Sequence, residues 1–137
     1  MDNDLAGILA EMPPGTLIER MGIEVTEVSE SRVVGTMPVE GNVQPQGLLH
    51  GGATAALAET LGSLGARAHA GPGAIAMGVD LNITHHRTTT TGLVTGIATP
   101  LYTGKTTATY AIEVTNEAGE RVATARLTCA IRPRPTL

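Results

Sequence analysis

Aromatic side chains are almost missing from this sequence. Of its 137 residues only Tyr102 and Tyr110 carry an aromatic ring other than imidazole, and there is no phenylalanine or tryptophan. Nucleobases therefore have no stacking platform. Thirteen acidic against nine basic residues leave a net charge of −4, with no Lys/Arg cluster longer than the pair Arg132 and Arg134, so no nucleic-acid partner is expected. Long hydrophobic runs are absent too: nothing approaches the ~20 consecutive apolar residues that span a bilayer. The first residues, Met1-Asp2-Asn3-Asp4, have neither the basic nor the apolar region of a secretory leader, so a cytoplasmic protein without a membrane partner is expected. Cys129 is the single cysteine, which excludes an internal disulfide; its alternating, strand-like surroundings suit a small buried hydrophobe. His85 and His86 are adjacent, and neighbouring side chains on a strand point to opposite faces, so neither a metal site nor a cofactor is expected.

What is present is an ordinary apolar share, 42%, supplied by Leu, Ile, Val, Met and Ala, so runs of small side chains should mark close backbone packing. The length suits one domain, residues 1–137, burying about two-thirds of its unfolded surface. Residues 1–21 read as a helical segment, with a short helix from Asp4 to Ala10, a break at Met12-Pro13-Pro14-Gly15 and a further turn or two from Thr16 to Arg20, placed as a lid or edge cover. Ile23 to Val28 and Arg32 to Val39 read as a hairpin, and Glu40 to Leu49 as a loop. His50-Gly51-Gly52 then opens the longest helix, over residues 53 to 69, which His69-Ala70-Gly71-Pro72 stops. Beyond Pro72 the period changes to two. Ile75, Met77, Val79, Leu81 and Ile83 should form the buried face of one strand; Leu93 to Leu101, Thr106 to Thr115 and Arg121 to Ile131 are three more, and 132–137 is a tail that prolines keep out of the sheet. Two strands, one helix and four strands predict an α+β domain in which an antiparallel sheet covers a single long helix.

That helix is informative for what it omits. Between His50 and Arg67 its only ionisable side chain is Glu59. A helix that is apolar or small all round is normally buried, so Glu59 is expected in the interior or at an interface, where a desolvated carboxylate becomes a stronger base unless a partner satisfies it. Ser63 follows one turn later on the same face, free either to donate to a ligand or to bond its own helix backbone. At the other end Gly51 and Gly52 offer unshielded N–H groups at the positive end of the helix dipole, which suits an oxyanion. Gly51 and Glu59 are eight residues apart, about 12 Å along a helix. One carbonyl carbon cannot be reached by both within one chain, so joint action requires a symmetric dimer with two shared sites.

The stretch Gln44 to Ser63 (QPQGLLHGGATAALAETLGS), with Val79-Asp80-Leu81-Asn82, His85-His86-Arg87 and Gly92-Leu93-Val94-Thr95-Gly96, resembles the hotdog-fold acyl-CoA thioesterases. Within them it is most similar to the Glu-dependent branch of 4-hydroxybenzoyl-CoA, 1,4-dihydroxy-2-naphthoyl-CoA and enterobactin-pathway proofreading enzymes. The likeness runs from about Gly22 to Ile131, departing where Thr88 replaces the proline that commonly follows Arg87. It implies a hotdog fold, homodimers associating into homotetramers, and an acyl-CoA substrate, most readily an aromatic one, with medium-chain acyl-CoA or acyl-carrier-protein esters as the alternative. By the same resemblance Glu59 is the nucleophile or general base, the Gly51 amide polarises the thioester carbonyl, His50 and Gln44 hold thioester and water, and Ser63 lies near the acyl group. Gly78, the segment His85, His86, Arg87 and Thr88, and the segment Tyr102, Thr103, Gly104, Lys105, Thr106 and Thr107 would meet the substrate and its CoA. Arg87 and Lys105 could each pair a phosphate. A hotdog dehydratase would need a catalytic His–acid pair not found here, and a non-catalytic acyl-CoA sensor would need an effector domain.

Overall fold

The computed structural model describes residues 5–135; Asp4, expected to open the first helix, and residues 136–137 of the expected tail lie outside them. Two short N-terminal helices come first, α1 (Leu5–Glu11) and α2 (Leu17–Arg20), the second capped by Thr16, which accepts from the Glu19 amide at 3.3 Å. Strands β1 (Glu24–Val28) and β2 (Val33–Pro38) form the expected hairpin. The loop 40–49 is held by Asn42, whose amide donates to the carbonyls of Met21 and Pro38, both at 2.8 Å. The long helix α3 (Gly51–Ala70) follows, ending at Gly71, whose φ of 84° only glycine adopts readily. Four strands complete the chain: β3 (Ala74–His85), β4 (Leu93–Thr103), β5 (Thr107–Thr115) and β6 (Arg121–Pro133).

All six strands join in one antiparallel sheet, in the order β1-β2-β4-β5-β6-β3, which curls around α3 so that the helix touches every strand. This is the expected α+β architecture, a sheet wrapped round one helix. Leu57, Leu61 and Leu64 of α3 enter a core lined by Val33, Met37, Val94, Ile112, Val114 and Leu127. Small residues set the spacing, as expected. A Cβ placed on Gly62 would lie 2.7 Å from a methyl of Leu127, and one on Gly65 would lie 2.6 Å from the Tyr110 ring. Tyr110, fully buried, donates its hydroxyl to the carbonyls of Gly65 (3.0 Å) and Glu30; burial, then the Glu30 charge, pushes its phenol up to about 12. Ile8, also fully buried, and an Arg67–Glu11 ion pair fasten α1 over the helix.

Three expectations need correction. Gly78 pairs with Cys129 but Asp80 with Thr128, so Val79 is an extra residue, a β-bulge that reverses the faces of the preceding half-strand. Leu81 and Ile83 do pack on the core, but upstream of the bulge the inward positions are Ala74, Ala76 and Gly78, while Met77 and Val79 are exposed. Next, β6 runs past Ile131 to Pro133, which pairs with Ala74; β5 has already ended there, so the ring's missing N–H leaves no ladder bond unmade. Finally β4 continues through Pro100 to Thr103 by a bulge at Leu101, beyond the end of β2.

Candidate active site

Helix α3 begins at Gly51, not at residue 53, because His50 caps it: the His50 Nδ1 accepts from the Gly52 amide at 2.8 Å. The expected pair of free amides is thereby reduced to one. Gly52 is satisfied by the imidazole, whereas the Gly51 N–H meets no acceptor among the described residues. With Nδ1 accepting, the His50 ring carries its proton on Nε2, on an exposed edge that can donate to a ligand. His85 lies over Gly51; a Cβ there would be 2.8 Å from the His85 Nε2, so glycine is what lets ring and helix end meet. His86 points the other way, to the Thr124 hydroxyl at 2.9 Å.

A cavity of about 330 Å³ opens at this helix end, bringing together Gln44, Gly51, His85, His86, Arg87 and Thr88. The Gln44 side-chain oxygen accepts from the amides of Gln46 and Leu48, so only its NH₂ group remains for a ligand. Arg87 is engaged by Glu120 at 3.3 Å on an exposed surface, a weak pair that a phosphate can replace. Thr54, which sequence reasoning passed over, is buried and also lines this cavity. Its position three residues after Gly51, on the same helix face, was the available signal.

Glu59 is not buried in the single chain. It is exposed, in a second groove of about 350 Å³ with Leu17, Ile18, Ala56, Thr60, Ser63 and Leu64. One oxygen of its carboxylate rests against Gly78, where a Cβ would overlap it. The inward-facing glycine at the bulge thus makes the notch in which the acid sits. Ser63 Oγ lies 4.0 Å from the buried Cys129 Sγ, a long contact, and Thr60 donates to the Ala56 carbonyl at 2.7 Å. Burial pushes the Cys129 thiol up, the Glu59 charge pushes the same way and the Ser63 hydroxyl opposes them, which keeps the sulfur a protonated core group.

The second segment expected to meet CoA lies elsewhere. Tyr102 to Thr107 forms the β4–β5 turn beside a cleft of about 720 Å³ lined by Gly104, Lys105, Thr106 and Arg132. Through Thr107, Ala130 and Met77 this turn maps eight residues from His85 along β3, about 26 Å. Within one chain Arg87 and Lys105 are therefore at opposite ends of the sheet. Lys105 meets no carboxylate among the described residues.

The family model for the thioesterase superfamily matches residues 46–123, the span that holds Gly51, Glu59 and His85. The chain belongs to the thioesterase superfamily. It is 42% identical over 118 residues to the proofreading thioesterase EntH of Cronobacter turicensis, covering 85% of this chain and 86% of the relative. A thioesterase of Haemophilus influenzae superposes with a TM-score of 0.84 at 34% identity, over 88% of this chain and 85% of that one. A mutant thioesterase of Pseudomonas aeruginosa superposes with a TM-score of 0.89 at 31% identity, over 96% and 95%. The fold is thus the hotdog fold and the protein a thioester hydrolase. This member's helix carries one acid, at Glu59, and one uncapped terminal amide, at Gly51.

Proposed function

We propose that the protein hydrolyses acyl-CoA thioesters, of aromatic acids of the hydroxybenzoyl or dihydroxynaphthoyl type, through sites shared between two subunits. The observation that carries this reading is the separation of a free Gly51 amide from an exposed Glu59, in two different grooves about 12 Å apart along α3. The sheet edge supports the dimer. Strand β3 has 12 residues, an unpaired outer side and exposed Met77 and Val79, a template for pairing with another copy. Antiparallel self-pairing centred between Leu81 and Asn82 would set Gly78 of one subunit opposite His85 of the other. Glu59 rests on Gly78 and His85 on Gly51, so this register brings the acid of one subunit to the helix end of its partner. It also carries the Lys105 turn of one subunit to the Arg87 end of the other, so that one CoA could meet both.

In this arrangement the Gly51 N–H stabilises the oxyanion that forms on the thioester carbonyl. Glu59 either takes a proton from water as that water attacks, or attacks directly to give a mixed anhydride that water then opens; both routes release CoA thiol and the free acid. Glu59→Gln removes either role. It should lower kcat by about 10³-fold with thermal stability unchanged, the side chain being exposed and bonded to nothing that the fold needs. Near-normal turnover in that variant overturns the proposal. Single turnover in labelled water places the label in Glu59 only on the anhydride route. Thiol release across aryl, dihydroxynaphthoyl and medium-chain acyl-CoA esters reports the acyl group, and a preference for long saturated chains excludes the aromatic one. A second reading, removal of misloaded acyl groups from a carrier protein, is favoured by the proofreading thioesterase among the relatives. Assaying the same acyl group on CoA and on a carrier protein separates the two.

A further inference from the structure

We propose that His69 is a positioning residue for the Gly104–Lys105 turn, holding it in the shape that receives the phosphates of CoA. The inference rests on the reading of this turn as a CoA contact and adds the residue that organises it. His69 lies in the last turn of α3, with its side chain about one-fifth exposed, and its Nε2 is 2.7 Å from the Gly104 carbonyl oxygen. A carbonyl can only accept, so Nε2 carries the proton. Nδ1 lies 3.9 Å from the Glu30 carboxylate, so the ring is seated between the β1–β2 and β4–β5 turns.

The consequence follows from peptide geometry. The chain has no cis peptide among the described residues, and in a planar trans peptide the C=O and the next N–H point in opposite directions. With its carbonyl drawn onto His69, the Gly104–Lys105 peptide turns the Lys105 N–H away from α3, and this N–H meets no acceptor among the described residues. The far side of the turn is tied as well: the Arg132 guanidinium donates to the Thr106 carbonyl at 3.1 Å, and the Ile131 amide donates to it at 2.8 Å. The result is a fixed loop at the rim of the 720 Å³ cleft that carries an unengaged backbone amide and an ammonium, with a second cation, Arg132, beside them. Reach agrees. Glu59 and His69 are ten residues apart on one rigid helix, about 15 Å. The arm joining a CoA sulfur to its pyrophosphate, thirteen bonds or a little over four peptide-like units, extends to roughly 14–15 Å.

The test compares His69→Ala, His69→Gln and Lys105→Ala on an acyl-CoA and on the same acyl group carried by N-acetylcysteamine, which lacks the nucleotide. His69→Ala should raise KM for the CoA ester about five- to tenfold, the worth of one net hydrogen bond, with kcat unchanged and the N-acetylcysteamine ester unaffected. Glutamine, whose amide can donate to the same carbonyl, should restore KM to within about twofold. Amide exchange over residues 104–107 should quicken in the alanine variant and recover in the glutamine one. If Lys105→Ala leaves the CoA ester's KM unchanged, the turn does not meet CoA, and the reading beneath this proposal fails with it. If Lys105→Ala raises KM while His69→Ala leaves it unchanged, or shifts both esters alike, or glutamine gives no rescue, the positioning role is wrong and the CoA reading stands.

Discussion

Replacing Gly78 by alanine separates the seat of Glu59 from the stability of the fold. The added Cβ would overlap one Glu59 carboxylate oxygen and lie 3.3 Å from both the carboxylate carbon and a methyl of Leu127. Leu127 can yield the few tenths of an ångström required, and Glu59, meeting the methyl with the free end of a flexible chain, must swing out of its notch. Gly78 does not have a positive φ, so alanine fits the backbone. Its lower unfolded-state entropy contributes about 0.5–1 kcal/mol of stability, which the crowding of Leu127 offsets in part. Displacing a reacting group by about 1 Å costs on the order of 100-fold in rate. The expected outcome is a kcat about 100-fold below that of the parent, with a thermal midpoint within a few degrees of it, measured by thiol release from a CoA ester and by thermal unfolding. Gly73→Ala is the control, since a Cβ there meets nothing within 4 Å. Undiminished turnover in Gly78→Ala would refute the argument that Glu59 works from this notch. A collapse of the midpoint by more than ten degrees would refute the argument that the notch is separate from the fold's stability.

Gly65→Ala should destabilise by about 1–3 kcal/mol in urea unfolding although alanine is the better helix former, because the methyl would meet the Tyr110 ring; a stabilised variant would disprove the close approach. Leu61→Ala, emptying a fully buried site, should cost about 3–5 kcal/mol by the same measurement. Tyr110, its phenol held near 12 against about 10 when unfolded, contributes stability that is complete below pH 10 and lost as pH rises from 10 through 12. Urea midpoints should hold to about pH 9 and then fall, and the fall should shrink in Tyr110→Phe. Cys129, buried with its thiol pushed up, should alkylate slowly in the native protein and quickly in denaturant; fast native labelling would show that the β6 core opens.

The architecture was legible because its signals are local. Pro72 separates a period near 3.6 from a period of two, and the hairpin of β1 and β2 is spelled by two apolar runs around Ser29-Glu30-Ser31. The bulge was not, because Val79 continues the alternation in sequence while adding one residue against β6, so a correct strand acquired the wrong inward face for its first half. That one residue decides the site: with the expected face, Val79 rather than Gly78 would confront α3, and no notch for Glu59 would exist. The capping of Gly52 by His50 escaped notice because it depends on a rotamer, and the partnership of His69 with Gly104 because it joins residues 35 apart in sequence.

The near-absence of aromatic residues bears directly on how an acyl group would be chosen. Tyr110 is locked in the core and Tyr102 folds over Gly104 at the far turn, so neither ring lines the Glu59 groove. Its walls are the aliphatic Leu17, Ile18 and Leu64, with two hydroxyls, of which Thr60 is already committed to its own helix backbone. Ser63, held only by a long contact to sulfur, is the hydroxyl left to address a substrate. Stacking thus makes no contribution, and apolar walls alone discriminate weakly between acyl groups of similar width. Under the proposed function, selection among aromatic acids would come from whether a ring hydroxyl reaches Ser63 and from how far α2, which supplies Leu17 and Ile18, narrows the groove. The short N-terminal helix, which reads in the sequence as a lid or an edge cover, would on this account be the wall that a larger acyl group has to pass.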